Sequence, residues 1–358
     1  MFTISDIVNS NWFYSVFAII ALGSTVVTII VILSENRNPV KSLAWVTVLL
    51  LLPVVGLILY IFFGRNIKNT RMISRRNRRK LRRRELRSDT DPKLAPITSP
   101  SVQLINLGRS LTGAPYYTDN TVEVYTEGKT KFDALEADLR NARVSINLQY
   151  YIFEDDNIGS RIADILIEKA KAGVTVRLMY DHVGSFNVRS RFFKRLREAG
   201  VEASPFFRVT FPQLATRINW RNHRKICVID NEIGYIGGMN VADRYIDGGK
   251  NFNRWRDTHI RITGPAVAAL HYSFAVDWNF MGGGLIESDG VADRRTISRG
   301  AVSGVGAQLL TSGPTSQWAN IAMAYNKAIA NASRRVYIQT PYFLPTEGLL
   351  KALQAAAL

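Results

Sequence analysis

Two long uncharged stretches set the first limit on what this chain can become: Trp12 to Leu33 runs 22 residues, and Leu43 to Phe63 runs 21, without a single Asp, Glu, Lys or Arg. Each is long enough to cross a hydrocarbon core about 30 Å thick. Only Ser34 to Ser42 separates them, so the spacing predicts a transmembrane helical hairpin. Pro53 falls inside the second span, where a kink is tolerable if neighbouring groups satisfy the freed carbonyl. The competing reading of the first stretch is a cleaved signal peptide. Its apolar region is too long for that, no basic residue precedes it, and no small-x-small site follows.

Arg65 to Arg87 then carries twelve Lys or Arg against one acid, Glu85, and so holds most of the chain's formal net charge of +17. Short basic segments beside a span stay on the cytoplasmic side, so everything after residue 64, and the N-terminus with it, is expected in the cytoplasm. The run is accounted for by topology alone, or it also binds anionic membrane lipids at about 1 kcal/mol per basic residue; both readings can hold. A nucleic-acid backbone attracts the same charge, but beside two spans it is the least supported partner and none is expected. The lone Cys227 excludes an intramolecular disulfide and agrees with a reducing compartment. Its four scattered histidines make no zinc-type ligand set, so neither a metal nor another cofactor is expected.

Asp89 to Asn120 has proline at 92, 96, 100 and 115 and little periodicity, and reads as a linker. Beyond it, helical and strand patterns alternate. Lys131–Ala142, Ile158–Ala172 and Arg189–Ala199 read as helices, the last closed by Gly200, and Val144–Phe153 and Val174–Tyr180 read as strands. That alternation predicts an α/β domain with a mixed sheet flanked by helices. An internal repeat at an offset of 190 aligns Asn141-Ala142 with Asn331-Ala332, Gln149 with Gln339 and Phe153 with Phe343, with a β-rich run between and a helix after each. The domain is therefore expected to be built from two similar halves.

The chemistry concentrates in His223-Arg224-Lys225-Ile226-Cys227-Val228-Ile229-Asp230, which reads H-x-K-x-x-x-x-D, followed by Gly237-Gly238-Met239-Asn240, which reads G-G-x-N. Arg224 to Ile229 is predicted to be a buried strand, on which His223 and Lys225 face the same way. A neutral imidazole can attack phosphorus, while an ammonium holds a non-bridging oxygen and offsets the charge of the transition state. Asn240, at the end of a Gly-Gly turn that lets the backbone come close, is a candidate second donor to the same phosphate. Asp230 ends the strand and is expected to pair with a nearby cation or backbone amide rather than with substrate. The alternative for the first part is a surface strand with an incidental His and Lys; G-G-x-N in register argues against it. Cys227 reads as small apolar packing, His182 and His259 as hydrogen-bonding residues near strand ends, His271 as structural, and Gly282-Gly283-Gly284 as a turn.

This motif resembles that of the phospholipase D superfamily, whose members carry two such HKD motifs at one site. The resemblance extends to one branch, the bacterial cardiolipin synthases. It runs through Glu35-Asn36-Arg37-Asn38-Pro39, Trp45, Pro53, Gly56, Tyr60, Gly64-Arg65, Gln149-Tyr150-Tyr151-Ile152-Phe153, Tyr180-Asp181-His182-Val183-Gly184-Ser185 and Trp255-Arg256-Asp257-Thr258-His259. It implies a multi-pass protein of the bacterial inner membrane. That protein would join two phosphatidylglycerol molecules into cardiolipin and glycerol through a phosphohistidine, with a membrane-bound phospholipase D-type hydrolase or a catalytically silent fragment as the alternatives.

The resemblance assigns His223 as nucleophile, Lys225 and Asn240 as the phosphate clamp and Asp230 as support, with Gly237 and Gly238 shaping the turn. Asp257 either orients the imidazole or merely ends a strand or pairs with Arg256, and both readings stay open. The expected organisation is a two-span anchor over 1–64, a basic segment and linker over 65–120, a first half over 121–306 and the opening of a second half over 307–358. A second histidine motif would fall 190 residues past the first, beyond Leu358, so the chain is expected to be C-terminally incomplete; a homo-oligomer in which two copies each give one motif is the other reading.

Overall fold

The computed structural model describes residues 11–34, 39–64, 74, 76–81, 100–206, 221–249, 255–286, 301–313 and 315–358. Apart from positions 74 and 76–81, the basic run Arg65–Arg87 lies outside them, as do Glu35–Asn38. The chain divides into two compact units, the first containing the N-terminal apolar helices and the second the rest of the described chain.

In the first unit, α1 (Asn11–Ser34) is one unbroken helix, and its stretch Tyr14–Ser34 is long and apolar enough to cross a membrane. The second predicted span is not continuous. It forms α2 (Pro39–Leu51), a break at Leu52 (φ −135°, ψ 71°), α3 (Pro53–Leu59) and a π-helical turn at Tyr60–Gly64. The break is the work of Pro53, which lacks an N–H and whose ring displaces the preceding residue from helical geometry. The helices pack through Ile32, Leu49 and Tyr60, with the Trp45 ring edge-on to Tyr60 at 5.5 Å. Ile19, Ile20, Leu43, Leu50 and Leu51 on the outer faces are exposed. Such a surface is costly in water and natural in lipid.

The second unit is an eight-stranded sheet in the order β4-β3-β2-β5-β6-β7-β1-β8. Its strands are β1 (Tyr117–Tyr125), β2 (Ser145–Tyr150), β3 (Thr175–Asp181), β4 (Glu202–Phe206), β5 (Ile226–Ile229), β6 (Ile233–Gly237), β7 (His259–Thr263) and β8 (Val302–Ala307). β2, β3 and β4 run parallel and the remaining pairs are antiparallel, which makes the sheet mixed as expected. Helices α5 (Gly128–Arg140), α6 (Asn157–Lys171) and α7 (Ser190–Glu198) lie on one face, where Leu135, Leu139, Ile162, Leu166, Phe193 and Leu196 meet Ile146, Leu148, Cys227 and Tyr235. After the four-residue α8 (Arg244–Asp247), α9 (Val267–Phe280) covers the other face, against Ile226, Val228 and Ile262.

Residues 100–120, read in the sequence as linker, instead contain α4 (Pro100–Thr112) and the start of β1. Pro100 opens the helix at the position where a missing N–H costs nothing. Helices α10 (Asn320–Ala330) and α11 (Glu347–Ala357) stand about 190 residues after α5 and α6, in keeping with the repeat. The expected β-rich run between them forms no strand, and Tyr337, Tyr342 and Leu344 are largely exposed. A strand needs a neighbour to take up its amides, and no described segment pairs with this one.

Asp230 and Asn231 both take positive φ (52° and 59°), and the Glu232 amide donates to the Ile229 carbonyl at 3.0 Å, so the β5–β6 hairpin closes through a primed turn. The Asp230 carboxylate, 7% exposed, accepts from the amides of Arg143, Val144 and Ser145 at 2.9, 2.7 and 2.9 Å. It thereby fastens the hairpin to the start of β2. Asp230→Ala should leave three amides without acceptors and lower stability by about 3 kcal/mol or more, read as a fall in the thermal midpoint of the full chain in detergent.

Candidate functional site

The strand carrying the motif is shorter than predicted: β5 begins at Ile226, and His223 to Lys225 form an extended approach to it. The common facing holds nonetheless. The His223 ring lies 4.7 Å from that of Tyr151, and the Lys225 ammonium lies 5.4 Å over the same ring. Both residues, with Gly237, line one cavity of about 390 Å³ whose far wall is formed by Leu309, Leu310 and Ile321. His223 is exposed, whereas Lys225 is 3% exposed and its Nζ donates to the His223 carbonyl at 2.7 Å.

Burial lowers the pKa of His223 below its usual 6.5; the Lys225 charge pushes the same way and Asp181 opposes it. The imidazole is therefore mainly neutral at pH 7, as a nucleophile must be. Burial brings Lys225 down to about 8, with Asp257 pulling it back up. The ammonium persists at neutral pH but sits near its limit.

Asn240 and Asp257 do not line the cavity. The Asn240 Oδ1 accepts from the Ile152 amide at 3.0 Å and its Nδ2 donates to the Tyr245 hydroxyl at 2.5 Å, leaving one N–H for another acceptor. Around it the chain is cross-tied: Asp156 accepts from the Asp243 amide at 2.6 Å, while Asp243 accepts from the amides of Asn157 and Ile158 at the start of α6. The turn glycines permit a close approach. A Cβ at Gly237 would lie 2.4 Å from the His259 Cα, and one at Gly238 2.0 Å from an Asp257 carboxylate oxygen. Asp257 itself accepts from the Thr258 amide at 2.7 Å and neighbours Lys225 electrostatically. Asp181 opposes the fall in the His223 pKa, and Asp257 opposes that of Lys225.

His259, expected to hydrogen-bond, is 0% exposed with neither ring nitrogen partnered among the described residues. Burial, then the charges of Lys131 and Lys225, holds its pKa far below the usual value, so it is a neutral core ring. Lys131 is likewise fully buried. It has the Tyr150 hydroxyl at 3.3 Å and the Phe132 ring at 3.8 Å, and burial lowers its pKa to about 7. His271 is buried in α9, and Gly282-Gly283-Gly284 follows that helix as a turn.

Two carboxylates that sequence reasoning passed over hold the motif in place. Asp181, 1% exposed, accepts from the Asn222 amide at 3.1 Å and from the Arg221 guanidinium at 3.4 Å. Asp277, in the middle of apolar α9 and also 1% exposed, accepts from the Asn222 side chain at 2.8 Å, from Gln149 at 2.6 Å and from Arg224. The residues on either side of His223 are thus fastened to two buried carboxylates, one at the end of β3 and one on α9. The single acid of a mainly apolar helix, between Val276 and Trp278, was the visible signal.

The sequence pattern described as "Cardiolipin synthase, PLD-like domain" matches residues 135–278, and "Phospholipase_D-nuclease N-terminal" matches residues 23–65. The sheet and its histidine–lysine cavity are accordingly those of a phospholipase D-like domain. The major cardiolipin synthase ClsA of Bacillus subtilis is 40% identical over 92% of this chain and 70% of its own length, and the cardiolipin synthase of Oceanobacillus iheyensis is 39% identical over 92% and 69%. The phosphatidylserine synthase of Haemophilus influenzae shares the fold, with a TM-score of 0.50 at 14% identity over 71% of this chain and 63% of that one. The chain belongs to the bacterial cardiolipin synthases, a family of phosphatidyltransferases in the phospholipase D superfamily.

Asp277→Asn should keep the fold but loosen the Arg224 and Asn222 anchors, lowering kcat on the order of 10- to 100-fold with KM little changed, a drop of about 1.4–2.7 kcal/mol in transition-state stabilisation. The pH profile should fall on the acid side below 6.5, as His223 takes up a proton, and on the basic side near 8, as Lys225 loses one. Removing the Asp257 charge (Asp257→Asn) should move the basic limb to lower pH and leave the acid limb unchanged. A lowered rate with both limbs in place would give that carboxylate a different role.

Proposed function

We propose that this chain transfers a phosphatidyl group from one phosphatidylglycerol to another, giving cardiolipin and glycerol. The His223 imidazole attacks phosphorus, an N–P bond forms, and the P–O bond to glycerol breaks as the departing oxygen takes a proton. The hydroxyl of the second phosphatidylglycerol then gives up a proton and attacks the same phosphorus, which restores the free imidazole. Lys225 supplies positive charge to the non-bridging oxygens throughout, and Asn240 offers its remaining N–H to the same group. Asp230 and the Gly237-Gly238 turn hold these parts in place without touching substrate. Asp257 keeps Lys225 charged.

The observation that carries this reading is the shared cavity of His223 and Lys225 in a chain 40% identical to a cardiolipin synthase. The proton donor and acceptor at the leaving and incoming oxygens would come from a second histidine motif, such as that of a second copy in a homo-oligomer. We further infer that residues 1–64 anchor the protein in the bacterial inner membrane as two spans, with the basic segment and all that follows on the cytoplasmic side. The apolar α1 and the lipid-suited outer faces of α1 and α2 support this.

The test is product analysis from labelled phosphatidylglycerol in mixed micelles, using the full chain and its His223→Ala variant. Cardiolipin from the unsubstituted chain alone, with a rate that rises with protomer concentration, is the expected result. Phosphatidic acid in its place would make water the acceptor and the protein a hydrolase, and no product from either would overturn the reading for this chain.

A further inference from the structure

We propose that the segment from Val183 to Arg197 is a second membrane contact, an interfacial patch by which the catalytic unit rests on an anionic phospholipid surface beside its cavity. The choice of a lipid surface as partner rests on the phosphatidyl-transfer reading; the patch itself is independent of the membrane anchor and of the Arg65–Arg87 run.

The turn after β3 projects Phe186, 75% exposed, with Val183 at 39%. A single exposed aromatic needs no explanation, but this one stands at the head of a basic helix. α7 buries Phe192, Phe193 and Leu196 and turns Arg191, Lys194, Arg195 and Arg197 outward, following an exposed Arg189. Lys194 and Arg195 have acidic partners in Glu198 and Asp164. Arg189 and Arg191 have none among the described residues. Arg197, His182 and Ser190 line a cavity of about 310 Å³ with Phe186 at its rim, a size and lining suited to a phosphoglycerol headgroup. An apolar tip flanked by unneutralised arginines is how interfacial surfaces bind anionic bilayers: the tip enters the acyl boundary, and the charges stay at headgroup depth.

The patch is tied to the catalytic residues by one carboxylate. Asp181 accepts from the Val183 and Gly184 amides at 2.9 and 3.0 Å, and its other oxygen accepts from Asn222, the residue before His223. The Ser185 hydroxyl accepts from the Phe153 amide at 3.1 Å, next to the Tyr151–Phe153 segment whose first ring flanks His223. Seating the tip in a bilayer would therefore set the depth of the histidine beneath the headgroups.

The experiment uses the full chain in nanodiscs, with a nitroxide on the Phe186→Cys variant; the native Cys227 is buried and escapes labelling. In discs containing phosphatidylglycerol, collisions with an aqueous nickel chelate should fall, and those with oxygen should rise, at least threefold relative to discs of phosphatidylcholine alone. A label at the exposed Lys171→Cys should not change. Adding Arg189→Glu and Arg191→Glu should abolish the difference at position 186. Equal access to the chelate in both discs would overturn the proposal. So would the same change produced in phosphatidylcholine discs by free glycerol phosphate, since the cavity would then bind a soluble anion rather than a surface. None of these readings requires turnover, so the patch can fail while the transferase stands, and the reverse.

Discussion

The buried carboxylate of Asp277 is the interaction on which the rest of the site depends. It lies in the apolar interior of α9, where an unpaired charge would be untenable, and it is compensated by Asn222, Gln149 and Arg224. Those partners bracket His223 and reach into the neighbouring strand β2. One desolvated charge therefore couples a covering helix, a central strand and the approach to β5. Asp181 holds the Asn222 amide and Arg221 from the end of β3, so the chain that carries the imidazole is fastened to two carboxylates. The arrangement leaves the ring itself untethered while its backbone cannot drift.

Much of this was legible in the chain. Local pattern and local chemistry speak together in H-x-K-x-x-x-x-D and G-G-x-N, and helices α5, α6 and α7 announce themselves through periodicity because each buries one face on the sheet. What stayed hidden is non-local. Asp277 meets Asn222 from 55 positions away, and nothing at either position names the other. The helix at Pro100–Thr112 was obscured by the same prolines that mark a linker, one of which serves as its first residue. The expected strand near Gln339 has the right composition but no neighbour, which shows that a strand belongs to a pair rather than to a segment.

The electrostatics under the cavity follow from dryness. Burial lowers the proton affinity of Lys131, His259 and Lys225 alike, and at His259 the charges of the two lysines push the same way. Lys225 alone has Asp257 nearby to restore its charge. The domain thus keeps positive charge at the cavity and lets it lapse at Lys131, in the core.

The Gly237-Gly238 turn carries a consequence for how such a chain can change over time. Because the carboxylate of Asp257 occupies the volume that a side chain at 238 would fill, the two positions share a single allotment of space. Position 238 cannot gain a side chain while Asp257 stays as it is, and position 237 cannot while the His259 backbone stays where it is. Descent with modification would have to shorten Asp257 before position 238 could grow, or shift the whole segment that begins β7. This corner is one where history can move only in coordinated steps.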